Sequence, residues 1–139
     1  MAQRDPAYRR YIARFIPLAI FYLASVMLAT WLLPDDAPIN ALLIGLGLMT
    51  GLAVAGWIWT FARLLIELED EFLKLLEVRK MIVATGFILL ITSMWGILEL
   101  YSPAIPKLPV FFVFPLWCLG LALGQLYNRI TMGTGGGPC

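Results

Sequence analysis

Four long apolar stretches alternate with short polar stretches along this chain of 139 residues. The apolar stretches contain no charged residue, and they occupy positions 15–33, 41–62, 81–98 and 110–127. Each is close to the roughly 20 residues that an α-helix needs to cross a hydrocarbon layer about 30 Å thick. The pattern therefore predicts four transmembrane helices.

Composition favours the same conclusion. Hydrophobic residues make up 61% of the chain and charged residues 14%, and the mean hydropathy is +0.87. Soluble domains average roughly 45–50% apolar and about 25% charged residues, so this chain is too apolar for a surface solvated by water alone. We expect an all-α integral membrane protein with one transmembrane domain over residues 15–128.

The polar segment 63–80 joins the second and third apolar stretches and contains no Gly or Pro that would break a helix. A straight helix over 41–98 would nevertheless be about 87 Å long, and its two apolar stretches could not both cross one bilayer. We therefore predict that the chain reverses near residues 69–71, which makes two helical hairpins. The alternative is a separate connector helix that lies in the membrane interface.

On a helical wheel at 100° per residue, this connector is amphipathic. Its apolar side consists of leucines and Phe72, and its charged side spans an arc of roughly 120°. The charged side is formed by Arg63, Glu67, Asp70, Glu71, Lys74 and Glu77. We predict that these six residues form a cytoplasmic docking face, with an ordinary solvated helix surface as the simpler interpretation.

The basic residues predict the orientation in the membrane. With both termini on one side, that side and the connector hold nine of the ten basic residues, and the other side holds only Lys107. The nine are Arg4, Arg9, Arg10, Arg14, Arg63, Lys74, Arg79, Lys80 and Arg129. Since cytoplasmic loops are enriched in Lys and Arg, we expect a multi-pass membrane protein with cytoplasmic termini.

The two ends of the chain receive separate interpretations. The basic segment 1–14 is interpreted as a cytoplasmic topology signal, with an anionic-lipid contact or a partner-docking arm as the alternative. The segment 129–139 has little apolar content and is expected to be a flexible tail.

Small residues recur every four positions in two of the predicted helices. They are Gly47, Gly51 and Ala55 in the second helix, and Gly120 and Gly124 in the fourth. In lipid, small residues let helix backbones approach closely, which favours helix association there. We predict both sets as helix-packing faces, although chance spacing in a glycine-rich helix would also explain the first set.

The sequence predicts no catalytic residues, no cofactor and no metal site. Histidine is absent, which removes imidazole as a ligand or a general base near neutral pH. The connector acids lack the alternating ligands and turn glycine of a calcium loop. Glu99 is the only carboxylate near the interior of a span, and an intramembrane ionisable group is a functional candidate by default. A net charge of +1 gives no reason to expect direct nucleic-acid binding.

Residues 66–99 carry three consecutive signatures. An acidic segment holds Glu67, Asp70, Glu71 and Phe72, a second segment holds Val78 and Arg79, and the following span ends in Trp95, Gly96, Leu98 and Glu99. This region resembles uncharacterised bacterial four-span inner-membrane proteins that are often encoded beside a Cro/CI-type helix-turn-helix regulator. The resemblance implies no activity. It implies that the cytoplasmic connector contacts a regulator.

Two functional hypotheses follow. The preferred one is a non-enzymatic accessory or regulatory membrane subunit. It sits in the lipid bilayer and packs against or docks a partner, which is a membrane complex, a cytosolic regulator or a second copy of the chain. The alternative is a small oligomeric transporter or channel, which requires a buried ionisable group or a polar stripe within the membrane.

Overall fold

A computed structural model describes residues 6–34 and 38–136 as an all-α protein. Its long helices are α1 (Pro6–Leu32), α2 (Ala41–Glu67), α3 (Glu71–Tyr101) and α4 (Val113–Met132), and a 3₁₀ turn at Val110–Phe112 precedes α4. Each of the four is long and apolar enough to cross a membrane. The predicted fold class, an all-α membrane protein with two helical hairpins, is confirmed for the described ranges. Arg4, part of the loop after α1 and the end of the predicted tail lie outside those ranges.

The first hairpin pairs α1 with α2 in antiparallel directions. Near the start of α1, Arg10 contacts Glu67 in the last turn of α2. Further along α1, the hydroxyl of Ser25 lies 3.1 Å from that of Thr50, in the first half of α2. The buried positions of α2 recur every three or four residues, as expected for a helix seam. They are Leu46, Ala53, Trp57, Thr60, Phe61 and Leu64.

Aromatic side chains fill the middle of this first hairpin. Trp57 is only 7% exposed, and its ring stacks on that of Phe15 at a centroid distance of 5.0 Å. The rings of Trp57 and Tyr22 are 5.7 Å apart. The indole Nε1 also donates a 3.4 Å hydrogen bond to the carbonyl oxygen of Phe15. Ring contacts of this kind contribute about 0.5–1.5 kcal/mol beyond burial, so Trp57 anchors α2 to α1.

The second hairpin pairs α3 with α4, also antiparallel. Gly120 in the first half of α4 meets Ala84 on α3. Asn128 in the second half of α4 donates a 2.8 Å hydrogen bond to the carbonyl oxygen of Leu76, nearer the start of α3. The chain divides into two compact units between Leu68 and Glu69, so each hairpin has its own core.

The connector is not one helix. Helix α2 ends at Glu67, α3 begins at Glu71, and residues 68–70 are non-helical. The Asp70 carboxylate accepts a 2.8 Å hydrogen bond from the N–H of Phe72, which makes Asp70 the N-cap of α3. The break lies within one residue of its predicted position. Among the described residues, both flanking helices continue their spans, and no separate interfacial helix is present.

Two predicted boundaries need correction. Helix α1 already begins at Pro6, so the described part of the basic segment 1–14 is helical and continues the helix of the first span toward the N-terminus. Helix α4 runs to Met132, so residues 129–132 are helical, although the sequence assigned them to a flexible tail. The helix ends there because Gly133 adopts a left-handed conformation with φ of 73°, as is common at helix C-termini.

Candidate functional site

Three arginines surround one carboxylate at the charged end of the first hairpin. Arg10 Nε and Arg14 Nη1 on α1 each lie 2.8 Å from a Glu67 oxygen, and Arg63 Nη2 lies 3.2 Å from Glu67 Oε1. Arg10 and Arg14 are four residues apart on one helix, and Arg63 and Glu67 are four residues apart on the next. Since i,i+4 residues share a helix face, antiparallel packing brings all four together. We call this group the arginine cluster.

The arginine cluster carries excess positive charge, because three guanidinium groups face a single carboxylate. Desolvation by its surroundings raises the pKa of Glu67, but hydrogen bonds from Arg14 and Arg10, together with their positive charges, outweigh that effect. The net result holds the pKa of Glu67 below its ordinary value, so the carboxylate is ionised at neutral pH. Glu67 lies five residues beyond the apolar stretch 41–62, outside the predicted span.

An exposed aromatic ring lies beside this cluster. The guanidinium carbon of Arg14 is 5.8 Å from the ring centroid of Trp59, within the range of a cation–π contact. The Trp59 side chain is 56% exposed. Trp is enriched where a membrane protein meets the headgroup region, so the cluster combines positive charge with a ring suited to that depth.

A buried ion pair lies at the start of the second hairpin. Lys80 Nζ is 2.6 Å from Glu77 Oε2, and the two side chains are 1% and 0% exposed. Both residues belong to α3, three positions apart, immediately before the apolar stretch 81–98. The charges compensate each other at this depth, whereas an isolated buried charge would cost several kcal/mol. We call Glu77 and Lys80 the buried pair.

Helix α4 and the residues that follow it enclose the buried pair. A Cβ added to Gly124 would lie 2.7 Å from the carbonyl oxygen of Lys80, so the two backbones are in direct contact. A Cβ added to Gly136 would lie 3.1 Å from Glu77 Oε1, which places the chain after α4 against the carboxylate. Asn128 is fully buried beside Leu76. Its amide oxygen Oδ1 has no hydrogen-bond partner among the described residues.

The structure corrects the predicted cytoplasmic docking face. Glu77 is fully buried in the second hairpin, and Glu67 is only 11% exposed within the arginine cluster. Arg63 and Glu67 belong to α2, whereas Lys74 pairs with Glu71 at 2.8 Å on α3. The helical wheel assumed one continuous helix, and the break at 68–70 removes the common axis on which the predicted arc depended. Exposed acids remain at the break, namely Glu69, Asp70 and Glu71.

The two predicted helix-packing faces have different surroundings. Gly120 and Gly124 lie in the seam of the second hairpin, where added Cβ atoms would meet the α3 backbone at 2.8 and 2.7 Å. Gly47, Gly51 and Ala55 are exposed, and no atom lies within 4 Å of a Cβ added to Gly47 or Gly51. These three residues therefore do not form part of the seam between α1 and α2, and their role as a helix-packing face stays a prediction. At 100° per residue, these three positions lie roughly 100–180° around α2 from the buried seam.

Glu99 is tied to the loop between α3 and α4. Its Oε2 accepts a 3.2 Å hydrogen bond from the backbone N–H of Leu108. One turn earlier, Trp95 Nε1 donates to the carbonyl oxygen of Pro106 at 3.2 Å. Glu99 therefore holds the loop against the end of α3. In the described residues, no group of three or more Asp, Glu or Cys residues could hold a metal ion.

Fold and site together define a multi-pass helical membrane protein with an arginine cluster on one hairpin and a buried charge pair in the other. Comparison of the chain with protein-family models, with curated proteins and with solved structures finds no match.

The buried pair and the arginine cluster were both missed from sequence. Lys80 is counted in the sequence only as one of the cytoplasmic basic residues, yet its side chain is buried. The available signal was the i,i+3 spacing of Glu77 and Lys80 directly before an apolar stretch, which permits charge compensation. For the cluster, the signal was the matching i,i+4 spacing of Arg10 with Arg14 and of Arg63 with Glu67, once the first two spans are paired as a hairpin.

Proposed function

We propose that the protein is a non-enzymatic accessory or regulatory membrane subunit whose α2 packs against a transmembrane helix of a partner protein. The observation that best supports this function is the open face formed by Gly47, Gly51 and Ala55. In the described residues, nothing contacts Cβ positions built on the two glycines. The face nevertheless has the spacing that transmembrane helix pairs use.

The exposed glycines need a physical reason. Gly in the middle of a helix costs roughly 0.5–1 kcal/mol relative to Ala, because it loses more conformational freedom on folding. At Gly120 and Gly124 that cost allows the backbones of α3 and α4 to touch. At Gly47 and Gly51 no such contact offsets it within the described chain. A partner helix that approaches the backbone of α2 would supply the missing contact.

The cytoplasmic side of the proposal rests on charge. The distribution of basic residues supports an orientation with both termini in the cytoplasm, and the resemblance of residues 66–99 supports a bacterial inner-membrane protein. In that orientation, the exposed acids Glu69, Asp70 and Glu71 face the cytosol. They form a reduced docking face for a cytosolic regulator, which replaces the six-residue face predicted from the helical wheel.

The experiment compares bulky substitutions at two equally open glycines. Gly51→Leu blocks the proposed partner face, whereas Gly86→Leu on α3 is the matched control, since its added Cβ also meets nothing within 4 Å. Tagged protein is expressed in its native membrane and purified in mild detergent. Proteins that co-purify with the wild type should be lost with Gly51→Leu and kept with Gly86→Leu.

Cross-linking identifies what touches the face. Ala55→Cys, in a chain with Cys118→Ser and Cys139→Ser so that neither native cysteine remains, should cross-link in membranes to a protein of different mass. Equal co-purification in both leucine variants would contradict the proposal, and so would a cross-link that forms only within the chain. A product of twice the chain mass would favour the oligomeric alternative.

A small oligomeric transporter is the second candidate, and the buried pair favours it. Ionisable groups buried in a membrane protein often mark transport or proton pathways, and Glu77 and Lys80 are almost fully buried. The test is a voltage-driven proton flux in liposomes that contain the purified chain. Flux that Glu77→Gln abolishes in a chain that circular dichroism shows to be folded, and that the exposed control Glu71→Gln preserves, would establish this function. Flux equal to that of empty liposomes would reject it.

A further inference from the structure

We propose that the arginine cluster binds the phosphate of an anionic phospholipid headgroup. The observation that leads to this proposal is the imbalance of charge around Glu67. Arg10, Arg14 and Arg63 all contact this single carboxylate, which leaves two positive charges in the cluster without a counter-charge among the residues that the structure describes. An oxyanion from outside the chain would balance them.

The guanidinium groups retain the donors that such an oxyanion needs. Arg10 uses its Nε, Arg14 its Nη1 and Arg63 its Nη2 to reach Glu67. Each guanidinium has five N–H donors in a planar fork, and within the described ranges these three make no further hydrogen bond. Pairs of N–H groups on one guanidinium match the spacing of phosphate oxygens, so bidentate contacts are available.

Glu67 also orders the arginines before any ligand arrives. It holds side chains from two helices at 2.8 to 3.2 Å, which reduces the rotamer freedom that a ligand would otherwise have to restrict. Arg10 is 53% exposed and Arg63 is exposed as well. The site is therefore arranged by the chain and open on its outer side.

The position of the arginine cluster at the ends of two apolar stretches favours a lipid headgroup over a free phosphate or an acidic peptide. Arg14 directly precedes the apolar stretch 15–33, and Arg63 directly follows the stretch 41–62, so both guanidinium groups reach the height of the headgroups. Three exposed apolar side chains lie within four residues of these arginines along their helices, namely Ile16, Trp59 and Ile66. Such apolar neighbours can contact the acyl chains of a lipid bound at the membrane interface. A soluble anion would leave the same side chains exposed to water.

The test measures lipid binding to the purified full chain in detergent by native mass spectrometry. Dioleoyl phosphatidylglycerol is compared with dioleoyl phosphatidylcholine, and inorganic phosphate and a polyglutamate peptide are added as competitors. The variants are Arg10→Gln, Arg63→Gln and their combination. The matched control is Arg9→Gln, which removes an exposed charge beside the cluster that makes no bond to Glu67.

The wild type should prefer phosphatidylglycerol. Each cluster variant should weaken that binding about tenfold or more, since a direct hydrogen bond to a charged group contributes about that much, and the double variant should weaken it more than either single variant. Arg9→Gln should change it less than about twofold. The Arg14–Glu67 bond remains in every variant, and circular dichroism verifies that each one is folded. If the double variant unfolds, the two single variants are compared with Arg9→Gln instead.

Three results would overturn the proposal. The first is equal affinity for the two lipids. The second is an equal loss from Arg9→Gln and Arg10→Gln, which would indicate diffuse surface charge in place of a site. The third is displacement of phosphatidylglycerol by inorganic phosphate or by polyglutamate, which would assign the cluster to a soluble anion or to an acidic protein segment.

Discussion

Breaking the buried pair should destabilise the second hairpin far more than removing the pair altogether. Glu77→Met leaves the Lys80 ammonium 1% exposed without its counter-charge, and Lys80→Met leaves the Glu77 carboxylate in the same position. Loss of one partner of a buried ion pair costs about 3–5 kcal/mol. That is a large fraction of the 5–15 kcal/mol by which proteins are typically stable.

The double variant should behave differently. Glu77→Met with Lys80→Met removes both charges and fills the site with apolar side chains, a change that is often neutral or stabilising by about 1–4 kcal/mol. The two single effects therefore do not add. The double-mutant cycle should give a coupling energy of at least about 3 kcal/mol between Glu77 and Lys80.

The measurement is reversible unfolding of the purified chain in mixed micelles as sodium dodecyl sulfate is added, followed by far-ultraviolet circular dichroism. The matched control is the pair Glu71 and Lys74. It lies on the same helix with the same i,i+3 spacing and a 2.8 Å contact, but the Glu71 side chain is 84% exposed. Exposed pairs contribute less than about 1 kcal/mol, so Glu71→Gln with Lys74→Gln should leave the midpoint nearly unchanged.

The reasoning would be refuted by either of two results. One is additivity of Glu77→Met and Lys80→Met. The other is an equal loss of stability from the exposed pair. Either result would mean that burial is not what makes Glu77 and Lys80 depend on each other.

The remaining predictions concern packing and pH, and the same unfolding assay checks them. Gly124→Ala should cost about 1–3 kcal/mol, since its Cβ would meet the Lys80 backbone at 2.7 Å, whereas Gly86→Ala should be neutral or stabilising. Trp57→Ala should cost about 3–5 kcal/mol, and the same change at exposed Trp59 much less. The pKa of Glu67 is lowered in the folded state. The contribution of Glu67 to the free energy of unfolding is therefore complete above the ordinary carboxyl pKa, and it is lost as the pH falls through the lower pKa of the folded state. The difference between wild type and Glu67→Gln should therefore disappear in acid.

The helices and their grouping into hairpins were predictable from local patterns. Apolar length alone located four spans, and the geometric limit on residues 41–98 required a break in the connector. The break at 68–70 has a local cause that the sequence already contains, because Asp70 is a favourable N-cap for a helix that begins at Glu71. Helix ends were predicted less well, since polar residues such as Arg10 continue a transmembrane helix beyond the point at which the hydropathy falls.

The side-chain environments were not predictable from the helical wheel. The wheel compares residues on one axis, whereas the surroundings of the buried pair are set by Gly124 on another helix, which meets Lys80, and by Gly136 beyond that helix, which meets Glu77. Similarly, Gly51 and Gly124 have the same local pattern, but only Gly124 faces a neighbouring helix in the described chain. A small-residue motif indicates that close packing is possible. Which helix occupies the face is decided by the tertiary arrangement.

The two charged groups differ in a way that follows from the cost of desolvation. The buried pair is neutral overall and directly precedes the apolar stretch 81–98, where an uncompensated charge would be expensive. The arginine cluster has excess charge, and its members Arg10, Glu67 and Arg63 lie one to five residues outside the apolar stretches of the first hairpin, where water and headgroups solvate them. The charges are therefore balanced in the buried pair, where solvation is poor, and unbalanced in the arginine cluster, where a ligand can approach. For this reason we assign structural stabilisation to Glu77 and Lys80, and external recognition to Arg10 and Arg63.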